Sequence, residues 1–274
     1  MESVNRKVLP GFSLSIGYTL FYLTVLVLLP IAACFLKAGS LSFEQFWGAV
    51  WTERTRAAYS LTFGASLAAA LLNLVFGLLI AWVLVRYQFP GRRVMDSLID
   101  LPLALPTAVG GLVYASLYVK KGWLGQYLVP LGIQAAYTRL AIVLVLTFIG
   151  LPFVVRTVQP VLEDLDPEVE EAAASLGATR WRTFRAVILP ALYPALITGF
   201  ALAFARSLGE YGSVVFVSGN MPYRTEIAPV LIVARLEEFA YGEATAIAVV
   251  LLVISFSMLV LINLLERWSK GREA

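Results

Sequence analysis

The chain has 274 residues, of which 59% are hydrophobic and 14% charged, with 21 Lys and Arg against 18 Asp and Glu. Soluble domains carry about 25% charged residues, so this composition is that of a membrane protein. There is no His and a single Cys, Cys34, so an internal disulfide, a His/Cys metal cluster and a Ser-His-Asp triad are excluded; no G-x-x-x-x-G-K-[ST] occurs to cradle ATP phosphates, and no basic patch interleaved with aromatics points to nucleic acid.

A membrane-spanning helix needs about 20 mainly apolar residues. Six segments qualify, at roughly 14–36, 57–85, 98–119, 139–160, 191–217 and 243–265. The expected fold is therefore all-α, one membrane domain without an internal repeat or low-complexity linker. The first segment is long for a signal-peptide core and no convincing small-residue cleavage site follows it, so it reads as a retained anchor. The second and fifth are longer than a crossing needs, which permits tilt or a projecting end. Trp51, Trp82, Tyr87, Tyr118, Trp123 and Trp268 mark segment ends, where aromatic rings favour the membrane interface.

Basic residues set the expected orientation. With the N-terminus inside, the inner segments hold twelve: Arg6, Lys7, Arg86, Arg92, Arg93, Arg156, Arg180, Arg182, Arg185, Arg267, Lys270 and Arg272. The outer segments hold eight: Lys37, Arg54, Arg56, Lys120, Lys121, Arg139, Arg224 and Arg235. This places both termini and the 166–190 loop in the cytoplasm.

The third segment opens Asp100-Leu-Pro-Leu-Ala-Leu-Pro-Thr-Ala-Val-Gly-Gly. Pro102 and Pro106 remove backbone donors, and Gly110 and Gly111 allow a bend or close packing. Either the helix is broken beside a pathway, with Thr107 lining it, or it is merely kinked against a neighbour.

Residues 166–190 are the longest charged run between two apolar segments on the inner side. Asp166 suits an N-cap, Pro167 the first helical position, and Glu168 and Glu170 the positive end of the dipole. Val169, Ala172, Ala173 and Leu176 then share one face, and Gly177 stops the helix. Thr179 caps a second short helix, with Trp181, Phe184 and Ile188 on one face and Arg180, Arg182 and Arg185 polar; Pro190 opens the next segment. A helix–turn–helix of this kind is a docking surface. Glu171-Ala172-Ala173, Gly177 and Val187-x-Leu189-Pro190 resemble the EAA loop of ABC importer permeases, with Val187 where that pattern most often has Ile. The resemblance implies a type I importer permease fold whose coupling helix, between spans four and five, sits in a cleft of an ATPase subunit. Glu171, Ala172, Ala173, Gly177, Leu189 and Pro190 would carry that contact.

The fifth segment contains Arg206, Ser207, Glu210 and Ser213. Arg206 and Glu210 stand at i and i+4 and can pair. Charges in a span are costly unless paired or hydrated, and they usually face the bundle interior. Functionally, Arg206 would stand near an anion route with Glu210 as counter-charge and the two serines as hydroxyl donors. Structurally, the pair would only fix helix packing, which is the favoured reading for Glu210. Leu208-Gly-Glu-Tyr-Gly-Ser213, Ser218-Gly-Asn220 and Tyr223-Arg-Thr-Glu226 resemble permeases for tetrahedral oxyanions. They are most similar to the T-type subunit of sulfate/thiosulfate permeases, and the Pro-Leu-Ala-Leu-Pro-Thr-Ala-Val stretch agrees.

What the resemblance implies is a sulfate, and also thiosulfate, importer subunit that binds no cofactor itself. It would work with a second similar permease, two copies of an ATPase that holds ATP and Mg, and a periplasmic or lipid-anchored binding protein. Its location would be a bacterial inner membrane or a plastid membrane. The first helix would wrap around a five-helix core. A molybdate or tungstate permease, or a stand-alone secondary transporter, are the alternatives. The outer loops, about 120–138 and 218–242, would meet the binding protein, and their Glu226, Glu237, Glu238 and Glu243 read as solvated charges.

Overall fold

The computed structural model describes residues 12–270, and all regular structure among them is helical. Hydrocarbon favours this outcome, because each buried N–H and C=O must find its partner within the segment or in a closed barrel. Arg6, Lys7 and Arg272, counted in the orientation above, lie outside the described residues.

The chain enters through α1 (Phe12–Leu23), a π-helical turn (Thr24–Leu28) and α2 (Leu29–Gly39). Together they make one apolar rod, in which Pro30 takes a donor out of the ladder and the wide π turn precedes it. This rod packs against the last helix and against little else, and none of its most apolar stretch is buried. A short amphipathic helix follows, α3 (Phe43–Val50), started by a reciprocal capping box between Ser42 and Gln45 at 3.2 and 3.0 Å. Its exposed Phe43 and Trp47, with Trp51 beyond, form an aromatic cluster suited to the membrane interface.

Next comes α4 (Glu53–Arg86), whose 34 residues are capped by Thr52. At ~1.5 Å per residue it is about 51 Å long, well beyond a hydrocarbon core of about 30 Å. The third expected span is not one helix. It is divided into α5 (Arg92–Ile99), α6 (Leu101–Ala104) and α7 (Thr107–Tyr118). Leu105 precedes a proline and is forced extended, with ψ 134°, and Pro106 follows it out of the helix at ψ 128°. Only the 12 residues of α7 are continuous there.

After α8 (Gly125–Leu128) and a 3-10 turn (Val129–Leu131), α9 (Arg139–Glu163) returns across the bundle. It leads to α10 (Pro167–Ser175), α11 (Arg180–Thr183), a π turn (Phe184–Ile188) and α12 (Leu189–Leu208). Two sequence expectations are corrected here. Pro190 does not open a separate segment, because Arg180–Leu208 runs as one 29-residue rod. The π turn widens the ladder just before Pro190, whose missing N–H would otherwise leave a regular turn unbonded. The rod also stops at Leu208 rather than 217: Gly209–Ser213 is a turn, followed by α13 (Val214–Val217). The chain closes with α14 (Ala228–Glu237) and α15 (Tyr241–Lys270).

Among the described residues five helical segments have the length and apolarity to cross a membrane, and α7 adds a shorter apolar helix. The centre is α4, α9 and α12 packed along one another. Ala70, Ala81, Leu84, Val154, Val158, Leu192, Ala203 and Phe204 are buried between them. Lipid tails are as apolar as leucine, so close van der Waals fit rather than exclusion of water holds such helices together, and small residues at the contacts permit it.

Candidate functional site

The 166–190 loop is built locally as its sequence dictates. Asp166 accepts the Glu168 N–H at 2.9 Å and Pro167 occupies the first helical position. At the other end Gly177 has φ +77°, the Gly177 N–H donates to Ala174 O at 2.9 Å, and the Ala178 N–H donates to Ala173 O at 3.0 Å. That pair of bonds is the Schellman motif, which needs a left-handed residue at Gly177. Thr179 then accepts from the Arg182 N–H at 3.4 Å.

The apolar face of α10 is not turned inward. No residue of α10 is buried. Glu171 and Ala172 are exposed and Ala173 half-buried, while Leu176 is 89% and Trp181 69% exposed. Leu189 and Pro190 lie half-buried where the rod enters the bundle. The loop is held from behind instead. Arg86, the last residue of α4, pairs with Glu170 and stacks over Trp82 at 5.4 Å. Trp82 meets Phe184 edge-on at 5.5 Å, and Phe184 stacks on Trp181 at 5.6 Å. Solvent-facing apolar side chains on a loop braced at its back are the kind of exposed patch that marks a protein or membrane contact.

The second constellation lies inside the bundle, where two helix interruptions meet. Thr107 begins α7 directly after its break, and the Gly209–Ser213 turn lies against it. A Cβ on Gly212 would fall 2.3 Å from Thr107 Oγ1, and one on Gly111 would fall 2.2 Å from Ser213 O. Only glycine permits this approach. Within the turn, Glu210 is 2% exposed. Its Oε1 accepts from the Ser213 N–H at 3.0 Å and from Ser213 Oγ at 2.9 Å, and its Oε2 lies 2.6 Å from Arg206 Nη1. Ser207 Oγ donates to Ala203 O at 2.8 Å. The hydroxyls of Ser207 and Ser213 are thus both buried and engaged within the chain. Arg206 is 33% exposed and Thr107 half-buried.

Three features escaped the sequence reading. Glu226 is not a solvated charge but buried, holding Arg54 Nε and Nη2 in a two-pronged pair at 2.7 Å each. Arg156 grips Asp100 at 2.9 and 2.6 Å and Asp96 at 2.6 Å, fastening α5 to α9. Asn73 is fully buried in α4 beside Gly150 of α9, and among the described residues neither of its amide atoms has a hydrogen-bond partner. An amide in mid-span was a visible signal for Asn73; nothing local pairs Arg54 with Glu226. Among the described residues no cluster of His, Cys, Asp and Glu has the form of a metal site.

Comparison with known proteins follows the same lines. A family model described as "Binding-protein-dependent transport system inner membrane component" matches residues 73–271. The "Sulfate transport system permease protein CysT" of Salmonella typhimurium is 50% identical, across 96% of this chain and 95% of its own. The protein of that name from Synechococcus elongatus is 52% identical, across 98% of this chain and 97% of its own. Among solved structures, a bacterial ABC transporter involved in the import of the acidic polysaccharide alginate superposes with a TM-score of 0.76 at 17% identity, covering 94% of this chain and 96% of that one. A chain of an amino acid ABC transporter gives a TM-score of 0.57 at 21% identity, covering 83% of this chain and 99% of that one.

Proposed function

Because the chain belongs to the binding-protein-dependent transport inner membrane components, and within them to the sulfate transport permeases, we propose that it carries sulfate, and also thiosulfate, across the membrane as one subunit of an ATP-driven importer. The observation that carries this reading is the identity of about half the residues to sulfate permeases along 96% of the chain. The exposed, braced face of the 166–190 loop supports the same assignment from geometry, since a permease that hydrolyses nothing itself must be driven through such a surface.

In this reading the loop and both termini face the cytoplasm, in keeping with the excess of inner basic residues. A second permease of similar fold completes the translocation unit. Two ATPase subunits hold ATP and Mg, and a periplasmic or lipid-anchored protein delivers the anion to the outer loops. Glu171, Ala172, Ala173 and Gly177 present the docking face, while Leu189 and Pro190 root it in the bundle. ATP closes the ATPase pair, the loops are drawn together, and the bundle opens outward to receive the anion. Hydrolysis returns it to the inward-facing state.

Arg206 and Thr107 are the groups assigned to the anion route. Each combines a polar end with partial exposure, at the level where α7 and α12 both lose regular backbone. Glu210 and Ser213 hold Arg206 in place. Deleting this chain from its host tests the substrate. Growth on limiting sulfate as sole sulfur source is expected to fail while growth on cysteine persists. Unchanged growth on sulfate with loss of a molybdate-dependent activity would move the cargo to molybdate.

A further inference from the structure

Each end of α4 carries an arginine that holds a glutamate from a different loop. Near its start Arg54 grips Glu226 of the segment before α14, and at its end Arg86 grips Glu170 of α10. Arg86 is also stacked on Trp82, whose ring meets Phe184. Both halves of the 166–190 loop, α10 through Glu170 and the α11–α12 rod through Phe184, are therefore clipped to the same final turn of α4.

This clip matters because α10 has no buried residue of its own. Without a tie at its back, a displacement imposed on the loop would be absorbed as rocking of α10. With the tie, the displacement reaches a helix packed along α9 and α12, and packed helices shift as bodies instead of deforming continuously. The pair is part-buried, its side chains 24% and 27% exposed, and it ties α10 to α4 at one point only.

We propose that Arg86 is a positioning residue for coupling: it fastens the 166–190 loop to α4, so that movement of the ATPase is passed to the bundle and, through Arg54 and Glu226, to the outer loop. The inference rests on the reading that this loop docks on an ATPase.

The experiment uses the complete importer in vesicles, this chain with its partner permease, ATPase and binding protein, and measures hydrolysis without and with the sulfate-loaded binding protein, together with sulfate uptake. Arg86→Gln is expected to keep wild-type yield and basal hydrolysis but to lose about tenfold in both stimulation and uptake, a coupling loss of ordinary size. The exchange Arg86→Glu with Glu170→Arg should restore most of both. Wild-type stimulation in Arg86→Gln, or an assembled exchange variant that stays uncoupled, would overturn the proposal. If Arg86→Gln does not assemble, the exchange variant alone decides: recovery of assembly without recovery of stimulation counts against it. Absence of ATP-dependent sulfate uptake in the wild type would instead overturn the function on which it rests.

Discussion

Arg206 and Glu210 form an ion pair of 2.6 Å across the point where α12 ends, and the same carboxylate takes two hydrogen bonds from Ser213. One buried side chain thus ends a helix, fixes a turn and orients an arginine. Glu210→Ala leaves the Ser213 N–H and hydroxyl without an acceptor and the guanidinium without its partner. A loss of about 2–3 kcal/mol is expected, reduced from the fully buried case because Arg206 is partly exposed. Glu210→Gln keeps an acceptor for Ser213 and should lose less. Thermal unfolding of the purified protein checks the order; equal losses would contradict it.

Gly177 tests the loop. Its φ of +77° costs an ordinary L-residue about 1–2 kcal/mol, and a β-branched one more. Among the described residues, its chain neighbours aside, no atom lies within 4 Å of its would-be Cβ, so the penalty is conformational and not a clash. Gly177→Val is expected to insert normally in the membrane yet to lower ATPase co-purification and uptake, whereas Gly177→Asn, which tolerates this conformation, should retain both. Normal uptake and complex yield in the valine variant would contradict the assigned role.

Neighbouring glycines in α7 should behave oppositely. A methyl on Gly111 would meet Ser213 O at 2.2 Å, while one on Gly110 meets nothing within 4 Å. Gly111→Ala is expected to destabilise by about 1–3 kcal/mol through overpacking against backbone. Gly110→Ala should be neutral or stabilising, since it removes a flexible residue from a helix interior. Melting of the two variants side by side checks the contact between α7 and the 209–213 turn.

The buried pair Arg54–Glu226 makes a further prediction. Removing one partner strands the other charge, at a cost of about 3–5 kcal/mol in a buried setting. Arg54→Met alone, which leaves the buried Glu226 carboxylate unpaired, should therefore destabilise more than Arg54→Met combined with Glu226→Ala. A double variant less stable than the single one would show that the pair is not the principal interaction there.

What could be read from the sequence was local. Asp166, Pro167, Gly177 and Thr179 act through bonds spanning two to five residues, so their order in the chain was enough to fix the loop. The spans that became α4, α9 and α15 needed only length and apolarity. The end of α12 was misplaced because Val214–Val217 is as apolar as the helix before it, and the turn between them buries Glu210 and Ser213 while packing against α7, which no window detects. Pro190 was misread as a boundary because a π turn absorbs it. Arg54 and Glu226 stand 172 residues apart, and only the fold brings them together. For the bundle site, the sequence named Arg206, Ser207, Glu210 and Ser213 together; that two serines turn inward while Arg206 stays partly exposed depends on where the rod stops.

The most direct test of the central claim is uptake of labelled sulfate by vesicles holding this chain, its partner permease, the ATPase and the binding protein, with molybdate as competitor. Accumulation that requires ATP and resists molybdate is the expected result. Sulfate uptake that proceeds without ATP, or uptake of molybdate with none of sulfate, would contradict the account.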